Sequence, residues 1–342
     1  MLILSIVNQV LFMLLYVVPL TNFSRQVKTG LFVVLILSAY LIYYIAHPKK
    51  ISWLMSLVES DRRGRFTANK EMLSLVSGMV FSFAMGAVID HFAGMGKTRV
   101  AFAISAGVIF VLMVLHSLTM LFTAEKPQPE PPKKNLKQAF GGLLKEKNVL
   151  RITALFLLYY ISNYISAPFY AVYQIGELGF NLKFVSAITI CGSASRILVS
   201  RFWGSYADKK SFATMIEKCF IFYGLSKLCV VFAVPATGKV MFALYYILHG
   251  IAMGGINSSL TNMIFRHISP EKSADALAFT QAAAGVTGFL TTLCISPLVA
   301  HIQQNGGIFG MPIYAQQLVS ALALVFTVIA TVYTRFAFIK KE

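Results

Sequence analysis

Ten apolar stretches follow one another along this chain, at approximately 2 to 20, 30 to 47, 70 to 92, 99 to 122, 149 to 173, 183 to 203, 214 to 234, 239 to 264, 275 to 300 and 313 to 337, each bounded by charged or turn-forming residues. The hydrocarbon core of a bilayer is about 30 Å thick and a helix rises about 1.5 Å per residue, so a spanning helix needs about 20 such residues. With 57% hydrophobic and 13% charged residues and a mean hydropathy of +0.71, a water-soluble globule of this sequence would expose far too much apolar area. The spacing therefore predicts an all-α, polytopic transmembrane helical bundle. The first stretch begins at residue 2 without a basic leader and reads as a spanning helix rather than a signal peptide.

Drawing these spans gives meaning to the net charge of +17. Twenty-one of the thirty Lys and Arg residues fall on one side, among them Lys49, Arg62, Arg63, Arg65, Lys145, Lys209, Lys272 and Lys340. The opposite side holds six, namely Arg25, Lys28, Lys97, Arg99, Lys183 and Lys239, and three, Arg196, Arg201 and Lys227, lie inside spans. The positive-inside rule then predicts a multi-pass protein of the cell (plasma) membrane with both termini cytoplasmic. The charge is a topology signal with scope for anionic-lipid contact. It does not point to nucleic acid, because no soluble basic domain exists to carry such binding.

The longest hydrophilic stretch, 123 to 148, holds four prolines between Lys126 and Lys134 and reads as a cytoplasmic linker. It divides an N-terminal bundle of four spans (1–122) from a C-terminal bundle of six (149–342). Sliding the chain against itself by about 210 residues lays the loop Val58 to Arg65 over Ile268 to Asp275, and the first four spans over the last four. Two additional helices before residue 1 would complete two pseudo-symmetric halves, so the chain is expected to lack the first pair of a twelve-helix plan.

The sequence resembles the major facilitator superfamily of secondary transporters over essentially its whole length. That family shows G-x-x-x-D-(R/K)-x-G-(R/K)-(R/K) after the second helix of each half. Here Gly204-Ser205-Tyr206-Ala207-Asp208-Lys209-Lys210-Ser211 matches at the Gly, Asp and first basic positions, and departs where Ser211 replaces the second Gly and Phe212-Ala213 the distal basic pair. Asp61-Arg62-Arg63-Gly64-Arg65-Phe66 is similar to the family's loop between its fourth and fifth helices. The resemblance implies that Gly204, Asp208, Lys209, Arg62, Arg63, Gly64 and Arg65 form a gating latch that breaks and reforms during alternating access. Chemically, Gly204 permits close helix approach, and Asp208 is expected to accept hydrogen bonds from the N-terminus of the helix that follows it.

Ionisable groups within spans are costly and count as functional candidates. Lys227 is placed near mid-span, where it either neutralises an anionic solute, pairs with a carboxylate, or snorkels to the headgroups. Arg196 is expected to reach the cytoplasmic face together with Arg201. In the fifth span Tyr159, Tyr160, Asn163, Tyr164 and Tyr170 recur at three- and four-residue spacing, and Pro168 predicts a break in that helix. In the eighth, Tyr245, His249 and Asn257 share a face beside Gly250, Gly254 and Gly255, a cluster that equally serves tight helix packing. The substrate-binding candidates are Asn163, Tyr164, Lys227, Tyr245, His249 and Asn257.

Other signals carry no chemistry. Gly94-Met95-Gly96-Lys97-Thr98 lacks the upstream Gly of a phosphate loop, where His91 stands. Cys191, Cys219, Cys229 and Cys294 have neither metal-ligand nor disulfide spacing, and no Gly-x-Ser-x-Gly elbow occurs. Enzyme activity, a cofactor and a metal site are therefore not expected. The third span has Gly78 and Gly86 but no proline, unlike the fifth helix of the family's drug/proton antiporters. The reading is a secondary active transporter that binds a small solute, with scope for a coupling ion, and works as a monomer. Its alternatives are a truncated, non-transporting remnant of such a transporter and a membrane-embedded lipid-handling protein.

Overall fold

The computed structural model describes residues 2–123, 136–308 and 310–341. Among these, the regular elements are helical: α1 (Leu2–Val17), α2 (Arg25–Ser56), α3 (Arg63–Gly94), α4 (Thr98–Phe122), α5 (Leu136–Lys145), α6 (Lys147–Ser166), α7 (Tyr170–Val172), α8 (Leu182–Lys209), α9 (Phe212–Val231), α10 (Gly238–His267), α11 (Pro270–Asn305) and α12 (Ala315–Ala337). Every predicted span has a helix. Among the described residues, eight helical segments are long and apolar enough to cross a membrane. α9 is not among them, since it carries Glu217, Lys218 and Lys227 within twenty residues. Residues 124–135 of the Pro- and Lys-rich stretch lie outside the described residues; α5 follows them.

Side chains on the helix exteriors include Leu37 at 65% exposure, Leu198 at 78% and Phe122 at 84%. Such surfaces demand lipid in place of water.

The chain divides into two compact units, one made of Met1–Leu57 and Val76–Pro131, the other of Val58–Leu75 and Pro132–Glu342. In the first, α1 packs on α2 and α4. Its few polar groups serve that packing. Asn8 Nδ2 donates to the Ala39 carbonyl at 2.6 Å, and His116 lies between Gln9 (2.9 Å) and Lys50 (2.8 Å).

In the second unit α6 is the central strut, packed against α11 and α12, while α9 packs on α10 and α12. The α-helix stops at Ser166, where Pro168 cannot donate to the preceding turn. A 3-10 turn (Ala167–Phe169), α7 and a π-turn (Tyr173–Glu177) carry the chain onward, as the proline predicted. Hydroxyls tie α6 to its neighbours: Ser162 donates to the Ala323 carbonyl at 2.8 Å, and Thr153 meets Thr280 at 2.9 Å. The α10 glycines are packing residues. A Cβ on Gly250 would come within 3.0 Å of the Gly192 carbonyl carbon, and one on Gly254 within 2.8 Å of Val199 Cγ2, so α8 and α10 meet nearly backbone to backbone.

Candidate functional site

Lys227 is completely buried. Helix α9 ends at Val231, so the lysine lies just over one turn from its C-terminal end, not mid-span, where the partial negative charge of the helix terminus favours a cation. It does not snorkel. Its Nζ donates to Ser166 Oγ at 3.0 Å, at the break in α6. Three tyrosine faces surround the ammonium, with ring centres at 4.7 Å (Tyr223), 5.2 Å (Tyr170) and 5.8 Å (Tyr245). Each such contact is worth about 0.5–2 kcal/mol. Among the described residues no carboxylate is in ion-pair contact with it. The rings and the hydroxyl stabilise the charge without neutralising it.

The cage extends through α6 and α10. Tyr223 donates its hydroxyl to Asn163 Oδ1 at 3.0 Å, and Tyr170 shares a 2.9 Å bond with Ser320. Tyr245 stacks on His249 with ring centres 5.2 Å apart, and His249 also lies 5.5 Å from Tyr223. The Nδ1 of His249 is shielded from solvent yet has no hydrogen-bond partner. Four predicted residues, Asn163, Lys227, Tyr245 and His249, thus converge on Tyr223. Two do not. Tyr164 stacks on Tyr160 at 5.7 Å and packs against Gly288, where a Cβ would lie 2.8 Å from its ring, so it serves the α6–α11 contact. Asn257 is exposed on α10, because the eight residues from His249 overshoot two helical turns.

A second cluster surrounds the first turns of α3. Asp208, at the end of α8, accepts the backbone N–H of Gly64 at 2.8 Å and of Arg65 at 2.9 Å. It therefore caps α3, not the following helix α9 as expected. That helix is capped by Ser211, whose Oγ accepts from the Thr214 N–H at 3.1 Å. Contact is possible because both residues facing each other are glycines: a Cβ on Gly64 would sit 2.6 Å from the Gly204 carbonyl, and one on Gly204 would sit 2.7 Å from Ala68 Cβ. Arg63 reaches the Phe265 carbonyl at 3.4 Å and Asn262 donates to Thr67 Oγ1 at 3.0 Å. Arg62 is exposed and pairs with Glu59 at 3.5 Å, while the Lys209 side chain is exposed.

Arg196 does not run to the surface with Arg201. It forms an ion pair with Glu71 of α3, the two side chains being 22% and 15% exposed. Glu71 escapes a search for mid-span charges because it stands at the edge of an apolar stretch. An acid followed directly by the run from Met72 is nonetheless as informative as Lys227. Ser166, an ordinary serine in sequence, had no distinguishing signal. Among the described residues no group of three His, Cys, Asp or Glu side chains is arranged to hold a metal ion.

A bundle of apolar helices with buried, unneutralised charge and glycine-lined contacts defines a polytopic membrane transport protein. The sequence profile of the Major Facilitator Superfamily matches residues 1–292, and the chain belongs to that superfamily. It is a secondary transporter and not an enzyme. Solved structures agree in fold. A bacterial homologue of the iron transporter ferroportin in an outward-facing state is similar at TM-score 0.67 and 14% identity, over 97% of this chain and 82% of that one. The E. coli fucose:proton symporter is similar at TM-score 0.68 and 12% identity, over 98% and 82%. Comparison with curated protein sequences finds no match.

Proposed function

We propose that the protein carries a small anionic solute across the cell membrane by alternating access, both termini facing the cytoplasm, with residues 1–122 and 149–342 acting as the two moving bundles. The observation that carries the anionic preference is Lys227. Its fully buried ammonium is held by Ser166 and three tyrosine faces and has no carboxylate contact among the described residues. A unit charge in low-dielectric surroundings acts over a longer range than one in water. It biases the neighbouring polar groups, Asn163 and the unpartnered Nδ1 of His249, toward an anion. In this reading Lys227 sets the field and positions the tyrosines, whereas His249 and Asn163 touch the solute. Asp208 and the Gly64–Arg65 turn serve as the latch that opens in each cycle.

Counterflow in proteoliposomes loaded with small carboxylates, and in parallel with their neutral amides, tests the idea. Carboxylates should exchange at least tenfold faster, and Lys227→Gln should erase the difference. Equal exchange of acids and amides by the unsubstituted protein would overturn the anionic assignment.

A further inference from the structure

At the end of the second unit where α8 and α10 begin and α11 stops, a cavity of about 400 Å³ opens between the π-turn Tyr173–Glu177 and the hairpin that joins α11 to α12. Glu177, Gln303 and Tyr314 stand in its wall with Gly306, Pro312 and Ile313. Its size suits a small organic ligand. None of the residues around Lys227 lines it.

Local sequence builds this recess. The Leu178 N–H closes the π-turn on the Tyr173 carbonyl at 2.8 Å, and Gly179, at φ +65°, turns the chain away, which leaves Glu177 half-buried in the cavity wall. Opposite, Gly306 at φ +66° ends α11 and lets the chain reverse. The Tyr314 ring is fixed by Tyr173, their centres 5.3 Å apart.

Glu177 brings a charge that its neighbours do not neutralise. Of the thirteen acidic residues only Asp90 and Glu177 fall on the sparsely basic side of the chain, and Asp90 belongs to the other unit. Among the described residues Glu177 is in no ion pair, and its carboxylate accepts a single hydrogen bond, from Gln303 Nε2 at 2.7 Å. A carboxylate accepts about four hydrogen bonds and an amide oxygen two, so Glu177 and the Gln303 Oε1 leave acceptors over. Spare acceptors, a negative charge and an aromatic ring in one wall select a cation that carries N–H donors, and an ammonium group has three. A metal ion fits less well, because among the described residues no three His, Cys, Asp or Glu side chains are grouped to hold one.

We propose that this cavity is a binding site for a primary ammonium group, distinct from the Lys227 site, with Glu177 as the counter-ion and Gln303 Oε1 as a second acceptor. Ethanolamine carries that chemistry, either free in solution or as the headgroup of a phospholipid.

The whole protein in nanodiscs provides the test, since a disc has no lumen and binding is read apart from transport. In discs of phosphatidylglycerol alone, radiolabelled ethanolamine should bind saturably and about tenfold or more tighter than choline, whose quaternary nitrogen has no N–H. Glu177→Gln should weaken ethanolamine binding about tenfold, the loss of a hydrogen bond between charged groups, and Lys227→Gln should leave it unchanged. Adding an equal part of phosphatidylethanolamine separates the two sources: the lipid headgroup displaces free ethanolamine if it is the occupant, and free ethanolamine binds as before if it is not. Absence of saturable binding in phosphatidylglycerol, choline binding as tightly as ethanolamine, a Glu177→Gln protein that binds like the unsubstituted one, or loss of binding in Lys227→Gln overturns the proposal. If Glu177→Gln does not yield folded protein, Gln303→Leu replaces it: binding weakened about threefold or more is the expected result, and unchanged binding overturns the assignment.

Discussion

A lysine with no solvent contact places opposing demands on folding and on function. Burying an ammonium costs several kcal/mol, which the Ser166 hydrogen bond and the three tyrosine faces offset only by being correctly placed. Replacing a buried charge by an apolar chain of similar volume is often neutral or stabilising by about 1–4 kcal/mol. Lys227→Met should therefore leave the melting temperature in detergent unchanged or raised, while transport of an anionic solute falls tenfold or more, about 1.4 kcal/mol in transition-state terms. A parallel drop in melting temperature and transport would mark the lysine as purely structural. Lys227 and Asn163 were legible in the sequence because charge and amide groups are rare in apolar runs. Tyr223, four residues before Lys227 on the same helix, was legible from the helical repeat; Ser166 was not, since nothing in a serine says that its neighbour in space is a cation sixty-one residues away.

The helices themselves were readable because bilayer thickness and Pro168 act locally, on a single segment. Their contacts were harder to read. The capping of α3 by Asp208 joins residues 144 apart, and a short loop after Asp208 made the following helix the natural partner. Losing an N-cap acceptor costs about 0.5–2 kcal/mol. Asp208→Ala should accordingly speed hydrogen exchange at the Gly64 and Arg65 amides several-fold to about thirtyfold, with the Thr214 amide, capped by Ser211, unaffected. Exchange accelerated at neither site, or raised equally at both, would refute the assignment. The α8–α10 contact makes a steeper prediction. Gly250→Leu cannot be accommodated against the Gly192 backbone without moving a helix, and overpacking of this kind costs about 1–3 kcal/mol or more. The variant should lower the melting temperature measurably, whereas Gly30→Leu, where a Cβ meets nothing within 4 Å, should not.

At the scale of the whole molecule, hydropathy is summed over many residues, so helix positions can be read without knowing a single contact, and the charge asymmetry proposes a side of the membrane. The grouping of Val58–Leu75 with the second unit cannot be read in this way, because it follows from contacts such as Asn262 with Thr67 and Glu71 with Arg196 across more than a hundred residues. Both kinds of information meet in one experiment on topology. The basic loops holding Arg62 and Lys209 should face the cytoplasm, and the sparsely charged loops holding Lys97 and Lys239 should face outward. Single cysteines at Arg62, Lys97, Lys209 and Lys239 in the cysteine-free protein, probed with a membrane-impermeant maleimide, should react from outside the cell only at 97 and 239. Arg62 lies one residue before α3 and Lys209 ends α8, and Asp208 joins the two helices by hydrogen bonds to Gly64 and Arg65, so positions 62 and 209 must share a side. Labelling of one but not the other from outside would contradict the fold itself, whereas labelling of both would leave the fold intact and invert the assigned orientation.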